Sequence, residues 1–332
     1  MKNLLFTSTL FLIVNFSFAQ TKIENDLTKY GLKGKVSFYS ESVFKFEEKF
    51  GELEKGSLRE KATSKYDEKG NMIEDNHYNA DGSLMYKNTY KYDEKGNMIE
   101  SNVYNDDGSL SYKSTYKYDE KGNMIEDNRY NADGSLWEKE THKYDLKGNV
   151  IESKGYQAHA GLWGLWYKVT HKYDVKGNKI EESGYYGVTG DFQHIYKYDE
   201  KGNMIEENHY YDGAIEDEKY TYKYDEKGNK IEKNDYNADG ILMSKSKYKY
   251  DEKGNMIEWN SYNADGSLSS KNTYKYDVKG NMIELNYYNA DGSLREKNTY
   301  KYEFDATDNW IKQTSTTDGK PTELTERVIE YY

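Results

Sequence analysis

From residue 56 onward, short runs of β-forming residues alternate with clusters of Asp, Asn and Gly, and the alternation is periodic. Asp67-Glu68-Lys69-Gly70 and Asn79-Ala80-Asp81-Gly82 each place Asp or Asn first and Gly fourth. That order is the signature of a type I turn closed by a left-handed glycine, a common three-residue hairpin loop. Between such turns lie stretches like 71–78 and 83–92, rich in Tyr, Met, Ile and Thr. Glycine turns this close together leave no room for an ordinary helix, so the elements are strands. The string Tyr-Asp-x-Lys-Gly-Asn begins at Tyr66, Tyr92, Tyr118, Tyr144, Tyr173, Tyr198, Tyr224, Tyr250 and Tyr276, with a decayed copy at Tyr302. Most steps are 26 residues; the exceptions are 29 after Tyr144 and 25 after Tyr173. Asn-Ala-Asp-Gly-Ser-Leu recurs in the same frame at Asn79, Asn131, Asn263 and Asn289, with relatives at Asn105 and Asn237. The chain therefore reads as an all-β repeat protein, a continuous antiparallel hairpin meander with two strands per repeat.

These turns set Tyr66 opposite Met72 and Tyr78 opposite Leu84. Counting outward by two puts Met72, Glu74, Asn76, Tyr78, Leu84, Tyr86, Asn88, Tyr90 and Tyr92 on one face. Ile73, Asp75, His77, Met85, Lys87, Thr89 and Lys91 fall on the other. The tyrosine-rich face is expected inside, and the charged face, which varies between copies at positions such as 75 and 77, outside, with Lys87 pairing acids such as Asp75. About twenty strands at about 4.8 Å would make a flat sheet about 95 Å wide, and broad open sheets twist and curl. The expectation is a spiral or solenoid-like sheet with laddered tyrosines, its stability a sum of neighbour terms. Residues 1–19 read as a signal peptide, 20–55 as an N-terminal cap of short helix and strand, 56–312 as repeats, and 313–332 as C-terminal capping strands. Pro321 suits an edge strand there.

Composition refines this picture. The 332 residues include no Cys, one Pro and 37 Tyr, with a net charge of −12. Lacking Cys, the chain has no disulfide framework, thiolate metal site or cysteine nucleophile. Lys2, the apolar run from Leu4 to Phe18 and Ser17-Phe18-Ala19 before Gln20 have the form of a cleavable secretory signal. No other stretch approaches the apolar length of a spanning helix, so the mature protein is expected to be exported, periplasmic or secreted, with no membrane span. The acidic balance repels phosphate backbones and argues against nucleic acid as a partner.

Nine copies of Tyr-Asp-x-Lys-Gly-Asn in register, each followed by a β-like segment, resemble the YD repeats of RHS and wall-associated proteins. The resemblance covers roughly residues 56–312. It implies a spiralling β-sheet surface or shell on an exported protein, in a family whose members bind carbohydrate or other cells or enclose a toxin. The uniform copies and the Trp310-containing end are similar to the short exported bacterial form.

Candidate chemistry is sparse. Glu74, Glu100, Glu126, Glu152, Glu181, Glu206, Glu232, Glu258 and Glu284 make an acidic row expected on the inner face. Nine alike placements lack the asymmetry a glycosidase pair requires, so structural hydrogen bonding is the reading preferred. His142 and His171 stand where other copies have Tyr90 and Tyr116, and His194 sits two positions earlier in its repeat; these are ladder substitutions rather than metal ligands. The Asn79-to-Gly82 turn supplies too few carboxylates for calcium. No metal or cofactor is expected. The repeat breaks most visibly at Tyr156, His159, Trp163 and Trp166, then at Tyr185 and Tyr186, and at Tyr210 and Tyr211. Tryptophan and tyrosine there offer flat apolar faces with polar tips, suited to a sugar ring or a protein anchor. The functional expectation is a non-enzymatic binding or scaffold module of the cell envelope or exterior, its partner a glycan or cell-surface protein. The alternatives are a protective partner of a secreted toxin, or a glycoside hydrolase using the glutamate row.

Overall fold

The structure, a computed structural model, describes residues 26–159, 162–187, 190–212 and 217–332; the signal segment 1–19 lies outside the described residues. Among the described residues, a single turn of helix, α1 (Asp26–Lys29), precedes 22 strands. They are β1 (Val36–Lys49), β2 (Glu52–Tyr66), β3 (Met72–Tyr78), β4 (Leu84–Tyr92), β5 (Met98–Tyr104), β6 (Leu110–Tyr118), β7 (Met124–Asn131) and β8 (Leu136–Tyr144). Next come β9 (Val150–His159), β10 (Leu162–Tyr173), β11 (Lys179–Tyr186), β12 (Gly190–Tyr198), β13 (Met204–Tyr211), β14 (Glu218–Tyr224) and β15 (Lys230–Tyr236). The last are β16 (Leu242–Tyr250), β17 (Met256–Asn263), β18 (Leu268–Tyr276), β19 (Met282–Tyr288), β20 (Leu294–Phe304), β21 (Trp310–Thr317) and β22 (Lys320–Tyr331).

Each strand pairs antiparallel with its neighbours in sequence, as the turn pattern predicts, but the sheet is not an open spiral. β1 pairs with β2 on one side and β22 on the other, from Val36 opposite Tyr331 to Lys45 opposite Glu323, so the meander closes into a barrel. Closure removes both edges, which an open sheet of this width would leave exposed. Asp75 faces Asn88, which faces Val103, 28 residues on and two beyond the 26-residue repeat. This stagger tilts the strands, and a ring of 22 at about 4.8 Å spacing is about 35–40 Å across its backbone.

Every residue of the Tyr-Asp-x-Lys-Gly-Asn string has a local task. Asp67 Oδ1 accepts from the amides of Lys69 and Asn71 at 2.9 Å, and Asn71 Nδ2 donates to Asp67 Oδ2. Gly70 takes φ 85°, a left-handed value that a side chain would strain. The turn lysine reaches the next repeat: Lys69 and Lys95 donate to the carbonyls of Glu94 and Glu120, 25 residues on. The tyrosine hydroxyl ties the other way, Tyr92 to the Met72 carbonyl and Tyr118 to that of Met98, 20 residues back. The Asn79–Ser83 turns are satisfied internally, through Ser83 donating to Asp81 and Asn79 to Ser83. One rim is thus cross-linked turn to turn.

The faces differ from the sequence expectation for a specific reason. Tyr66 does lie opposite Met72 and Tyr78 opposite Leu84, but a one-residue bulge follows each pair, and Lys65 meets Glu74 while His77 meets Tyr86. A bulge inverts which parity faces which side. Glu74, Asn76, Tyr78, Lys87, Thr89 and Lys91 therefore share the outer face. Asp75, His77, Tyr86, Asn88, Tyr90 and Tyr92 face inward. The glutamate row lies outside, and Lys87 pairs with Glu74 at 2.6 Å, not with Asp75. Glu100 is held by Lys91 at 2.8 Å, Lys113 at 2.6 Å and Asn102 at 3.0 Å, and these hydrogen bonds keep its carboxyl at about 2. Glu126, Glu206, Glu258 and Glu284 repeat the arrangement with two lysines and an asparagine each.

The two ends of the described chain meet at the seam. Leu27 and Leu32 pack with Val36, Tyr66 and Met72 against the inner wall, and Asp26 accepts from the Met72 amide at 2.8 Å. Asn309 exchanges hydrogen bonds with the Lys33 backbone at 2.8 Å, and Tyr332 reaches the Tyr66 carbonyl at 2.5 Å. The Arg327 guanidinium lies 3.0 Å from the centre of the Trp310 ring and donates to Glu41 at 2.8 Å. Pro321 precedes the stretch of β22 that pairs with β1, so its missing N–H costs the seam nothing.

Two outcomes follow. Truncation after Gly319 removes β22 and leaves β1 and β21 with open edges, so the shortened protein should associate on size-exclusion chromatography and lose cooperative melting; an open solenoid would lose one neighbour term and stay monomeric. The outer glutamates, held below their ordinary 4.5, contribute stability that is full above that value and lost as pH falls toward 2. Glu100→Gln should therefore lower the melting temperature at pH 7 and leave it unchanged near pH 2.

Candidate functional site

Once the bulges are accounted for, the internal copies vary mainly on the inner face. The outer glutamate is the same in all nine copies, whereas the inward position beside it reads Asp75, Ser101, Asp127, Ser153, Glu182, Glu207, Lys233, Trp259 and Leu285. Two residues further, the inner position reads His77, Val103, Arg129, Gly155, Gly184, His209, Asp235, Ser261 and Tyr287. The outer lattice makes the barrel, so distinctive chemistry is left to the inner wall.

Along β9 to β13 that wall is aromatic. At Gly155 an added Cβ would stand 2.1 Å from the Tyr167 ring, and at Gly184 it would stand 2.3 Å from the Lys168 carbonyl, so the first glycine admits a ring over the strand and the second admits the neighbouring backbone. Tyr186 stacks on Phe192 at 5.3 Å and approaches Tyr167 at 5.5 Å, and Trp166 meets Tyr167 edge-on at 5.3 Å. Tyr211 stands edge-on to His194 at 5.6 Å.

The eight residues singled out in the sequence do not form one patch. Trp166, Tyr186 and Tyr211 lie in this inner cluster. Tyr156, opposite Lys139, and Tyr185, opposite Lys168, share the outer face with the lysines, as does Tyr210, opposite Gln193. Trp163 alternates with Gly164 onto the same outer side and is 48% exposed, beside exposed Leu162 and Leu165. Of His159 only the backbone register, opposite Leu162, belongs to the described structure.

Next to the aromatic cluster the inner wall buries titratable groups. Arg129 donates to Glu138 at 2.6 Å and to Asp127 at 3.5 Å, with Glu140 directly across from Asp127. Burial, opposed by Arg129 and aided by Glu140 and Glu138, pushes the Asp127 carboxyl up to about 6. Burial also raises Glu182, but the close contact with His171 Nδ1 at 3.3 Å and the hydrogen bond from Lys179 outweigh it and hold that carboxyl at about 2. His194 stacks on His209 at 3.9 Å, and burial together with the second imidazole lowers it to about 4. Burial lowers His142, whose Nδ1 lies 2.9 Å from Ser153 Oγ. Asp127 Oδ1, His142 Nε2, Trp166 Nε1 and His194 Nε2 are buried with no hydrogen-bond partner. Buried polar atoms are ordinarily paired, so these four set this stretch of the inner wall apart.

Sequence reasoning passed over Asp127, Arg129, Glu138, Glu182, Glu207 and His209. A signal for them existed, since each departs from its neighbours at a varying position; all but Glu138, which replaces an inward tyrosine, fall on the face that the sequence alternation assigns to the outside. Among the described residues, no three His, Asp or Glu side chains are placed to hold a metal ion.

Asp127 gives a signed test. A carboxyl raised by burial favours folding when protonated, and its contribution falls as pH rises from its ordinary 3.8 through about 6. Asp127→Ser, the residue found at Ser101 and Ser153, should raise stability by about 1–3 kcal/mol at pH 7.5 and by little at pH 4, measured by urea unfolding at both values.

No family model and no curated protein matches the chain. Among solved structures, TcdB2-TccC3 without its hypervariable C-terminal region aligns over 86% of this chain and 19% of its own, with 11% identity and a TM-score of 0.40. The TcdB2-TccC3-Cdc42 structure aligns over 81% of this chain and 19% of its own, with 12% identity and a TM-score of 0.38. A porin-like protein from Bacteroides uniformis aligns over 90% of this chain and 98% of its own, with 11% identity and a TM-score of 0.31. The chain spans about a fifth of the length of the toxin-complex chains it matches.

Proposed function

We propose that this is an exported, non-enzymatic binding protein whose ligand, a glycan or a glycan-bearing surface protein, is held by the inner aromatic wall of the irregular repeats. The observation that carries the reading is the division of the two faces. The uniform outer residues are consumed by the Glu–Lys–Asn lattice. The inner wall of β9 to β13 instead concentrates Trp166, Tyr186 and Tyr211, with the buried Trp166 Nε1 and His194 Nε2 unpartnered. Aromatic rings beside polar side chains suit a sugar, which presents apolar C–H faces edged with hydroxyls. The charged outer lattice is a poor lipid face, because burying Lys in a bilayer midplane costs about 2–4 kcal/mol per residue.

The test separates the two tryptophans that sequence alone grouped together. Purified residues 20–332, screened on a glycan array, should bind at least one saccharide whose binding is lost on Trp166→Ala and kept on Trp163→Ala. Loss on Trp163→Ala alone would move the ligand to the outer rim. Retention in both folded variants would remove the aromatic wall from the explanation.

A further inference from the structure

One repeat before the aromatic cluster, the inner wall opens into a cavity of about 630 Å³. Its origin is a run of small side chains. At four inner or rim positions the β5–β6 repeat has Ser101, Val103, Ser111 and Ser114, where the preceding repeat has Asp75, His77, Met85 and Asn88 and the following one has Asp127, Arg129, Trp137 and Glu140. All four residues line the recess, and larger residues flank it on both sides. Tyr90, Tyr112, Tyr116 and Trp137 supply its aromatic walls, and Asn88 and Asn131 supply amides. Tyr112 is 42% exposed, and the Tyr116 hydroxyl lies 3.1 Å from Ser101 Oγ.

We propose that this recess is a binding site for a short, uncharged saccharide. Flat rings beside amides and hydroxyls match the alternating apolar and hydroxylated faces of a pyranose, and the volume lies within the range of small-ligand sites. Charge excludes an acidic sugar. The one cation in the lining, Arg129, is engaged by Glu138 at 2.6 Å and by Asp127 at 3.5 Å, the latter only 6% exposed. With Glu140 opposite Asp127, the local balance is negative. The site shares its ligand class with the proposed function but none of its residues, so either can fail without the other.

The test uses cellotriose, maltotriose and triacetylchitotriose, with trigalacturonate as the anionic counterpart, read by saturation-transfer NMR and calorimetry on residues 20–332. At least one neutral trisaccharide should bind, and Trp137→Ala should weaken it at least tenfold. A quadruple variant carrying the preceding repeat's residues (Ser101→Asp, Val103→His, Ser111→Met, Ser114→Asn) should abolish it, while Trp166→Ala leaves it unchanged. The proposal is overturned if no neutral probe binds, if trigalacturonate binds best, or if a folded quadruple variant retains affinity. If the quadruple variant does not fold, unchanged affinity in both Trp137→Ala and Tyr112→Ala overturns it.

Discussion

The hydrogen bonds between β1 and β22 are the constraint on which the rest of this structure depends. Neither face of the sheet is a conventional hydrophobic core: the outside is a lattice of carboxylates, ammonium groups and amides, and the inside mixes tyrosine with buried polar groups. Such a sheet cannot rest on apolar burial alone, and open edges would leave backbone donors and acceptors available to other chains. Joining the first strand to the last satisfies them. The departures at the chain ends, Asn309-Trp310 and the Val328–Tyr332 segment, belong to that closure, through Asn309 with Lys33, Trp310 with Arg327 and Tyr332 with Tyr66.

Closure also divides the residues into two populations. Uniform positions bind one repeat to the next: turn lysines donate forward to carbonyls, tyrosine hydroxyls donate back, and each glutamate gathers its lysines outside. These contacts tolerate little change, because each side chain serves its own strand and a neighbour. The varying inward positions beside the outer glutamates carry no such duty, so they accommodate Ser101, Asp127, Gly155, Glu182 and His209 in turn. The aromatic cluster, the buried acid pairs and the small-residue recess all arise from that freedom.

The amino-acid sequence by itself determined the strands, the antiparallel order, the repeat frame and the pairs beside each turn, because Asp-x-Lys-Gly and Asn-Ala-Asp-Gly impose local geometry whatever surrounds them. It also marked the broken repeats, and Trp166, Tyr186 and Tyr211 do lie together. Only the tertiary structure decided which residues face inward, since one bulged residue beside each turn inverts the alternation and leaves Trp163, Tyr185 and Tyr210 outside. Only it decided that the sheet closes, because that depends on accumulated twist and stagger over 22 strands and on two segments nearly three hundred residues apart meeting in register.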